Sequence, residues 1–145
     1  MEPAAGVIVG SEEFKWPVRV YYEDTDSSGI VYHASYLRFM ERTRTEWLRS
    51  LGFGLPELST EHGVLFTVSR LRIDYLRPAH FNDMLEASLR LVRLGGASLL
   101  LEQSVCRSSR ELLCRAEVRI ACVDASTLGP RPIPQVVCME LKRDS

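Results

Sequence analysis

The chain lacks an excess of charge of either sign. Its 145 residues contain 18 Lys and Arg against 19 Asp and Glu, a net charge of −1 at pH 7. This balance excludes an acidic or basic polyelectrolyte and any nucleic-acid-binding assignment based on overall charge. No apolar run approaches the roughly 20 residues of a membrane-spanning helix, and no basic leader precedes a long hydrophobic stretch. We therefore expect a soluble, cytoplasmic protein with no nucleic-acid partner and no membrane insertion.

Motifs for disulfide, metal and serine chemistry are also missing. The 4 cysteines form no C-x-x-C pair, and a domain of this size does not need disulfides, so we expect reduced, mostly buried thiols. No G-x-S-x-G motif is present. Of the three histidines, His62 and His80 have no second ligand at metal-binding spacing and are interpreted as surface residues. The sequence therefore predicts no metal site, no bound cofactor and no serine or cysteine triad.

The hydrophobic pattern predicts one domain. Residues 1–15 show no periodicity and are predicted to be a flexible N-terminal extension, followed by a single domain over 16–145. Alternation from Val18 to Tyr22 predicts a first strand. Apolar spacings of three and four predict one long helix from an N-cap at Ser35 to Leu51, ended by a left-handed Gly52.

The second half of the chain is predicted to be extended. Four alternating segments follow a loop, and we interpret them as a β-meander before a short terminal helix over 136–142. The segments cover 65–76, 85–94, 98–106 and 113–123. The only element long enough to cover their apolar face is the helix, so we expect an α+β fold in which an antiparallel sheet of five or slightly more strands wraps around one long central helix. Such a thin core favours an oligomer.

An acidic loop lies between the first strand and the helix. It reads Y-Y-E-D-T-D-S-S-G-I-V-Y-H over residues 21–33. Calcium binding is disfavoured because the twelfth position of an EF-hand-like loop would be Ser35 rather than a bidentate Glu. Two interpretations remain open. The carboxylates cap a polar turn, or one of them works beside the helix N-terminus, whose free N–H groups polarise a carbonyl during acyl transfer.

These residues resemble a known enzyme family. The run V-R-V-Y-Y-E-D-T-D-S-S-G-I-V-Y-H-A-S-Y-L-R-F-M-E-R-T-R-T-E-W-L closely resembles the hotdog-fold acyl-CoA thioesterases of the 4-hydroxybenzoyl-CoA thioesterase superfamily, in the YbgC-like, Tol-Pal-associated branch. D-Y-L-R-P-A, N-D-M-L-E and A-E-V-R-I-A-C-V-D extend the resemblance over about residues 16–137. It implies a hotdog fold, acyl-CoA thioester hydrolysis, and a dimer, often paired again into a homotetramer, with active sites at the dimer interface.

The resemblance also implies residue roles. The catalytic aspartate falls on Asp26, acting as nucleophile or as general base for water, and the carbonyl-polarising amide on His33, whose imidazole is typical of this branch. Asp24, Thr25 and Tyr32 are expected to brace the loop. Glu41 either approaches the thioester across the interface or is solvated or paired with Arg44. The substrate-binding group is expected to contain Gly29, Tyr32, Glu41, Phe66, Thr67 and Val68.

The sequence departs from the family pattern beside the predicted catalytic aspartate, and this departure is expected to affect the rate of hydrolysis. Ser27 and Ser28 stand where the family usually has small apolar residues or glycine, and their hydroxyls are expected to lower the basicity of Asp26. The strand arginines are interpreted either as a coenzyme A phosphate site or as the wet face of the sheet. A non-catalytic module that binds acyl-CoA or acyl carrier protein as a sensor or scaffold is the main alternative, and a dehydratase-type hotdog the third.

Overall fold

The computed structural model describes residues 7–8, 12–108 and 110–143. One antiparallel sheet and three helices make up this part of the chain. The strands are β1 (Val7–Ile8), β2 (Phe14–Arg19), β3 (Val64–Tyr75), β4 (Met84–Leu94), β5 (Ser98–Arg107) and β6 (Glu111–Asp124). The helices are α1 (Ser35–Ser50), α2 (Leu55–His62) and α3 (Gln135–Arg143). No helix among these residues combines the length and apolar character that crossing a bilayer requires.

The strand order corrects the predicted four-strand meander. The sheet runs β1–β4–β5–β6–β3, and β2 also pairs with β4, so only β4, β5 and β6 form a meander. β3 pairs with β6, through Val64 opposite Asp124 and Tyr75 opposite Cys114. Alternation indicates which face of a strand is buried but not which strand lies beside it. Because β5 and β6 lie between β3 and β4 in the sheet, the connection over 76–83 crosses one end of the sheet. Helix α1 begins at that end.

The apolar face of the sheet covers α1, as the pattern predicts. Leu85, Ala87, Leu89 and Leu91 of β4 are buried, and α1 contacts β4, β2 and β5. On the helix, the predicted stripe is buried, including Tyr36, Phe39, Met40, Thr43, Trp47 and Leu48. Because these side chains occupy much of the helix circumference, α1 is a central rather than a surface helix.

The first strands of the sheet begin before residue 16. β2 begins at Phe14, and Val7–Ile8 pair with Leu94 and Arg93 of β4. A strand pairs with its neighbour through main-chain groups and needs no alternation of side chains. The hydrophobic pattern therefore did not reveal β1. The rest of the predicted extension, residues 1–6 and 9–11, lies outside the described residues.

The elements around the helix differ from the prediction in three places. The first strand ends at Arg19, and Tyr22–Asp24 form a 3₁₀ turn. Ser35 is the first residue of α1, not its N-cap, which is Ala34. Helix α2 occupies the predicted loop after Gly54. At the other end of α1 the prediction is confirmed, because Gly52 has a φ of 95° and the Phe53 amide donates to the Leu48 carbonyl at 2.8 Å.

Candidate active site

The acidic loop folds into a tight turn that leads directly into α1. The Asp26 amide donates to the Ile30 carbonyl at 2.9 Å, and the Gly29 amide donates to the Asp26 carbonyl at 3.0 Å. Gly29 has a φ of 83°, a conformation that side-chain-bearing residues rarely adopt. Thr25 bridges Val31 across the base of the turn. The turn therefore fixes where the Asp26 carboxylate stands relative to the start of the helix.

Asp24 supports this turn as expected. Its side chain is buried, and Oδ2 accepts from the Tyr21 amide at 2.8 Å. Its main-chain carbonyl accepts from the Tyr32 amide at 2.9 Å and from Ser35 Oγ at 3.2 Å. The guanidinium of Arg38 approaches Oδ1 to 3.8 Å. One residue thus connects the 3₁₀ turn, the end of the loop and the first helical residue.

The Asp26 carboxylate faces solvent in the single chain. Its Oδ1 accepts from the Ser28 amide at 2.8 Å and from Ser28 Oγ at 2.5 Å. These bonds, first the hydroxyl and then the amide, hold the pKa of Asp26 below its usual value of 3.8. The carboxylate is therefore ionised at neutral pH, and the predicted effect of a loop serine on its basicity is found at Ser28.

His33 lies at the entrance to α1. Its ring lies against that of Tyr32, with centroids 4.4 Å apart, and meets Tyr75 edge-on at 6.1 Å. The His33 carbonyl accepts from the Tyr75 hydroxyl at 2.9 Å. In the described part of the chain no oxygen accepts the His33 amide N–H, and no hydrogen bond joins its imidazole to Asp26. The open amide lies at the positive end of the helix dipole, where it favours a developing negative charge.

The crossing segment over 76–83 supports the same loop from behind. The Val31 amide donates to the Ala79 carbonyl at 2.8 Å, and Ile30 bridges His80. The Ala79 amide in turn donates to the hydroxyl of Tyr36 at 3.0 Å, and burial is the main cause of the raised pKa of this phenol. Sequence reasoning missed this support because nothing in an alternating strand pattern shows where the next connection passes.

The remaining predicted residues meet at a different place. Glu41, Phe66, Thr67 and Val68 line one cleft of about 310 Å³ between α1 and β3. Glu41 is exposed and forms no ion pair with Arg44 within the described residues. Arg44, which the sequence offered only as a partner for Glu41, lines this cleft too. The cleft therefore combines apolar walls with one acidic side chain, Glu41, and one cationic side chain, Arg44.

The two groups lie apart in one chain. Tyr75, which contacts His33, ends β3, whereas Phe66, Thr67 and Val68 lie near its beginning. Val68 and Tyr75 are seven residues apart on this strand, which at about 3.3 Å per residue is about 23 Å. In one protomer Asp26, Gly29, Tyr32 and His33 lie in the loop that enters α1, and none of these four residues lines the cleft that contains Glu41 and the β3 residues.

Several strand arginines belong to the outer face of the sheet. Arg90 pairs with Glu102 at 2.8 Å, and Arg115 approaches Asp74 to 3.8 Å, both on a charged concavity of about 510 Å³. These ion pairs favour the interpretation that Arg90 and Arg115 belong to the solvent-exposed face of the sheet. Arg107 contacts Asp83 at 2.7 Å and Glu111 at 2.9 Å and serves as a structural clamp. In the described ranges no three His, Cys, Asp or Glu side chains are placed to hold a metal ion.

Comparison with known proteins decides the family. A model of the thioesterase superfamily matches residues 28–114. The chain belongs to the thioesterase superfamily. Within it, the chain is 44% identical over 130 residues to the acyl-CoA thioester hydrolase YbgC of Escherichia coli O6:H1, covering 90% of this chain and 96% of that protein. It is 44% identical over 124 residues to the acyl-CoA thioesterase YbgC of Haemophilus influenzae, covering 86% of this chain and 90% of that protein.

Solved structures confirm the architecture of this thioesterase-superfamily member. The crystal structure of a probable thioesterase from Bartonella henselae has a TM-score of 0.81 at 37% identity, covering 85% of this chain and all of that one. Slr0204, a 1,4-dihydroxy-2-naphthoyl-CoA thioesterase from Synechocystis, has a TM-score of 0.81 at 23% identity, covering 90% of this chain and 96% of that one. The predicted hotdog fold is therefore confirmed.

Proposed function

We propose that this chain hydrolyses acyl-CoA thioesters to a free carboxylic acid and coenzyme A. The observation that carries the proposal is the ionised Asp26 carboxylate in the loop that enters α1, seven residues before the open amide of His33. The sequence similarity to two proteins named YbgC supports the same reaction class. Coenzyme A is part of the substrate, and we expect no further cofactor.

The proposed mechanism gives each group of the loop one task. The amide of His33 donates to the thioester oxygen and stabilises the oxyanion that forms during attack. Asp26 either attacks the carbonyl and forms a mixed anhydride that water then hydrolyses, or takes a proton from the water molecule that attacks. In both routes the C–S bond breaks, and coenzyme A leaves as a thiolate that takes up a proton. Gly29 keeps the turn tight, and Tyr32 packs against the His33 ring. Oxyanion stabilisation by His33 and the attack that Asp26 promotes both depend on the geometry of this loop.

The proposed active unit is a dimer joined along β3. The outer edge of β3 ends the sheet among the described strands, and Val68, Leu71 and Tyr75 on this strand are 42%, 36% and 44% exposed. A two-fold axis near the middle of β3 would pair two such edges in antiparallel fashion and extend the sheet. That arrangement would bring Phe66, Thr67 and Val68 of one protomer beside the end of the partner's β3, and so close to its His33 and Asp26.

The central test is thiol release by an Asp26→Asn variant. Asparagine keeps the shape and the Ser28 contacts but neither attacks a carbonyl nor accepts a proton, so we expect kcat to fall by at least about a hundredfold. Release of coenzyme A is followed with a thiol reagent over short, long, branched and aromatic acyl-CoAs. The matched control is Asp74→Asn, an exposed carboxylate on the outer face of the sheet. Near-normal hydrolysis by Asp26→Asn would remove Asp26 from the mechanism.

The same assay distinguishes the alternatives. A sensor or scaffold would hold acyl-CoA or acyl carrier protein for hours without releasing thiol, and a dehydratase would yield an unsaturated acyl-CoA instead of a free acid. We favour hydrolysis because a module that only binds has no use for an ionised carboxylate beside an oxyanion site. The homotetramer, the cytoplasmic location and an acyl-carrier-protein partner stay predictions.

A further inference from the structure

The cleft between α1 and β3 contains a cation that the proposed mechanism does not use. Arg44 projects from the middle of α1, and its Nη1 donates to Oε1 of Gln103 at 2.9 Å. Gln103 is buried, and its Nε2 donates to the Met40 carbonyl at 3.0 Å. The hydrogen bond from Gln103 Nε2 to the backbone of α1 thus orients the side-chain amide so that its oxygen faces Arg44. This arrangement fixes the guanidinium in one place.

Arg44 is short of negative charge. Burial lowers its pKa, and the opposing influence of Glu41 is smaller. Within the described residues no carboxylate lies within ion-pair distance of Arg44, and Gln103 is its single hydrogen-bond partner. Burying a cation in a weakly polar site is costly unless an anion or several acceptors compensate it.

The unused donors of Arg44 are accessible. A guanidinium carries five N–H donors, and Gln103 accepts from one of its nitrogens. Among the described residues, no side-chain nitrogen of Arg44 is both sealed from solvent and without a hydrogen-bond partner. Its free nitrogens are therefore open to the space around them. Arg44 borders both the 310 Å³ cleft and a neighbouring apolar concavity of about 270 Å³.

The walls around this cation suit an acyl chain. Trp47, Leu48, Leu99, Leu101 and Ile120 contribute to the lining of the larger cleft. An acyl chain lying along them would be buried without hydrogen bonds, whereas its far end would meet a planar donor that suits a carboxylate. A plain hydrocarbon end would instead leave the cation uncompensated. A cleft with these walls would therefore favour an acyl chain with a charged far end over one with a hydrocarbon end.

We propose that Arg44 selects acyl-CoA substrates whose acyl chain carries a carboxylate at its far end. This inference rests on the proposed function, and on the proposed β3 dimer, which places the cleft beside the partner's Asp26 and His33. The carboxylate of the substrate would take the donors of Arg44 that Gln103 leaves free, and it would replace the water lost on binding. Arg44 is thereby a specificity-determining residue and takes no part in bond breaking.

The test compares adipoyl-CoA with hexanoyl-CoA, which have the same number of chain carbons and differ at the far end. For the unaltered protein we expect kcat/KM to be higher for adipoyl-CoA by about tenfold or more. Arg44→Met should lower the adipoyl value by about 10–100-fold and leave the hexanoyl value within about threefold. Arg44→Lys keeps the charge and should retain part of the preference. Arg42→Met, an exposed arginine of the same helix, should change neither substrate.

A binding measurement separates the two proposals. Titration calorimetry with the Asp26→Asn protein should show tighter binding of adipoyl-CoA than of hexanoyl-CoA, and Arg44→Met in that background should abolish the difference. If binding discriminates but no acyl-CoA is hydrolysed, the proposed function fails, and Arg44 is left as a determinant of ligand binding and not of substrate choice. If hydrolysis proceeds with equal or better use of hexanoyl-CoA, the inference is overturned alone. Dissociation of the dimer by Arg44→Met without any substrate preference in the unaltered protein would assign Arg44 to the subunit interface and overturn it too.

Discussion

Asp26 receives its hydrogen bonds from within its own turn. Ser28 supplies both the hydroxyl and the amide that hold Oδ1, and Asp26 itself is exposed. These bonds stabilise the charged form, so the carboxylate remains ionised to lower pH than an isolated aspartate. The same hydrogen bonds make the Asp26 carboxylate a weaker base, which would slow the reaction if Asp26 activates water. The residue pattern D-T-D-S-S-G already contained this information, because the Ser lies two positions after the Asp as in many Asx turns.

Ser28→Ala should raise the pH below which kcat/KM declines in acid. Loss of the hydroxyl removes the largest of the interactions that lower the pKa of Asp26, while the backbone bond from residue 28 remains. The folded pKa then rises, and the pH below which kcat/KM declines rises with it. The measurement is kcat/KM against pH with a short acyl-CoA. Ser27→Ala, which removes a neighbouring hydroxyl that does not contact Asp26, should leave that pH unchanged; equal shifts in both variants would contradict the assignment.

Tyr36→Phe should destabilise the protein by about 1–3 kcal/mol, since it leaves the Ala79 amide without its acceptor. Both residues are almost fully buried, at 3% and 0% exposure, so water cannot replace the hydroxyl. The free energy of unfolding is measured by urea titration. Tyr75→Phe is the matched control, because its hydroxyl donates to the His33 carbonyl near the surface and its loss should cost less. A smaller loss for Tyr36→Phe than for Tyr75→Phe would contradict the role given to Ala79.

At the level of elements, α1 was well predicted and its surroundings less so. Its length, buried stripe and Gly52 end follow from local pattern and backbone chemistry. Its N-cap was wrong because the hydroxyl of Ser35 turns inward to the Asp24 carbonyl and accepts from Arg38 at 2.9 Å. That choice depends on a loop residue distant in sequence. Helix α2 was missed because its segment was interpreted as a loop; it contains Pro56, and proline is favoured in a first helical turn.

Gly52→Ala should lower the free energy of unfolding by about 1–2 kcal/mol, because a side chain at a φ of 95° is strained even where space is free. Gly96→Ala is the matched control. No atom lies within 4 Å of a methyl group added there and its φ is not positive, so it should be neutral or slightly stabilising. Urea midpoints of the two variants compare them directly. Equal losses would show that backbone conformation is not what Gly52 supplies.

The Arg107 clamp makes the crossing segment sensitive to acid. Burial raises the pKa of Asp83, but bonds from the His80 amide and from Arg107 outweigh it and lower the pKa overall; the Arg107 side chain is the main cause of the lowered pKa of Glu111. With folded pKa values below the ordinary 3.8 and 4.5, these groups stabilise the fold above those values. Their contribution is lost as the pH falls through the folded pKa values.

Arg107→Gln should therefore reduce stability at neutral pH and lose its effect in acid. We expect a lower urea midpoint than for the unaltered protein at about pH 7, and a gap that narrows as the pH falls below the ordinary pKa values of the two carboxyls and they become protonated. Arg90→Gln, which breaks an exposed pair with Glu102, is the control and should have a small effect throughout. A gap that stayed constant with pH would mean that Arg107 acts through packing alone.

At the level of the whole molecule, the exposed apolar side chains of β3 are the main unpartnered feature. Val68 and Leu71 line the concavity beside Leu37 and Met40 of α1, on the face that elsewhere in the sheet is covered. An edge strand with such side chains is prone to pair with another chain. We interpret this edge as the dimer contact, which is also where the two halves of the predicted site would meet.

Leu71→Arg should dissociate the dimer and reduce thiol release together. An arginine at this position adds a cation beside Arg38 and Arg44 and must be desolvated in the subunit contact, so we expect a monomer by light scattering and at least about a tenfold loss of kcat/KM. Met139→Arg makes the same chemical change on the exposed face of α3, where Met139 is 62% exposed, and should keep both mass and activity. A monomeric Leu71→Arg protein with full activity would show that one protomer is sufficient for hydrolysis.

Local chemistry was enough to predict the central helix, the strand faces and the acidic turn. Periodicity reports burial within an element, and the D-T-D-S-S-G segment folds by bonds between near neighbours, so the position of Asp26 in its loop was predictable. Strand order, the passage of 76–83 behind that loop and the fixed guanidinium of Arg44 come from contacts between residues far apart in sequence. Alternating patterns are the same whichever strand lies alongside, and only the packed tertiary structure decides which distant groups meet.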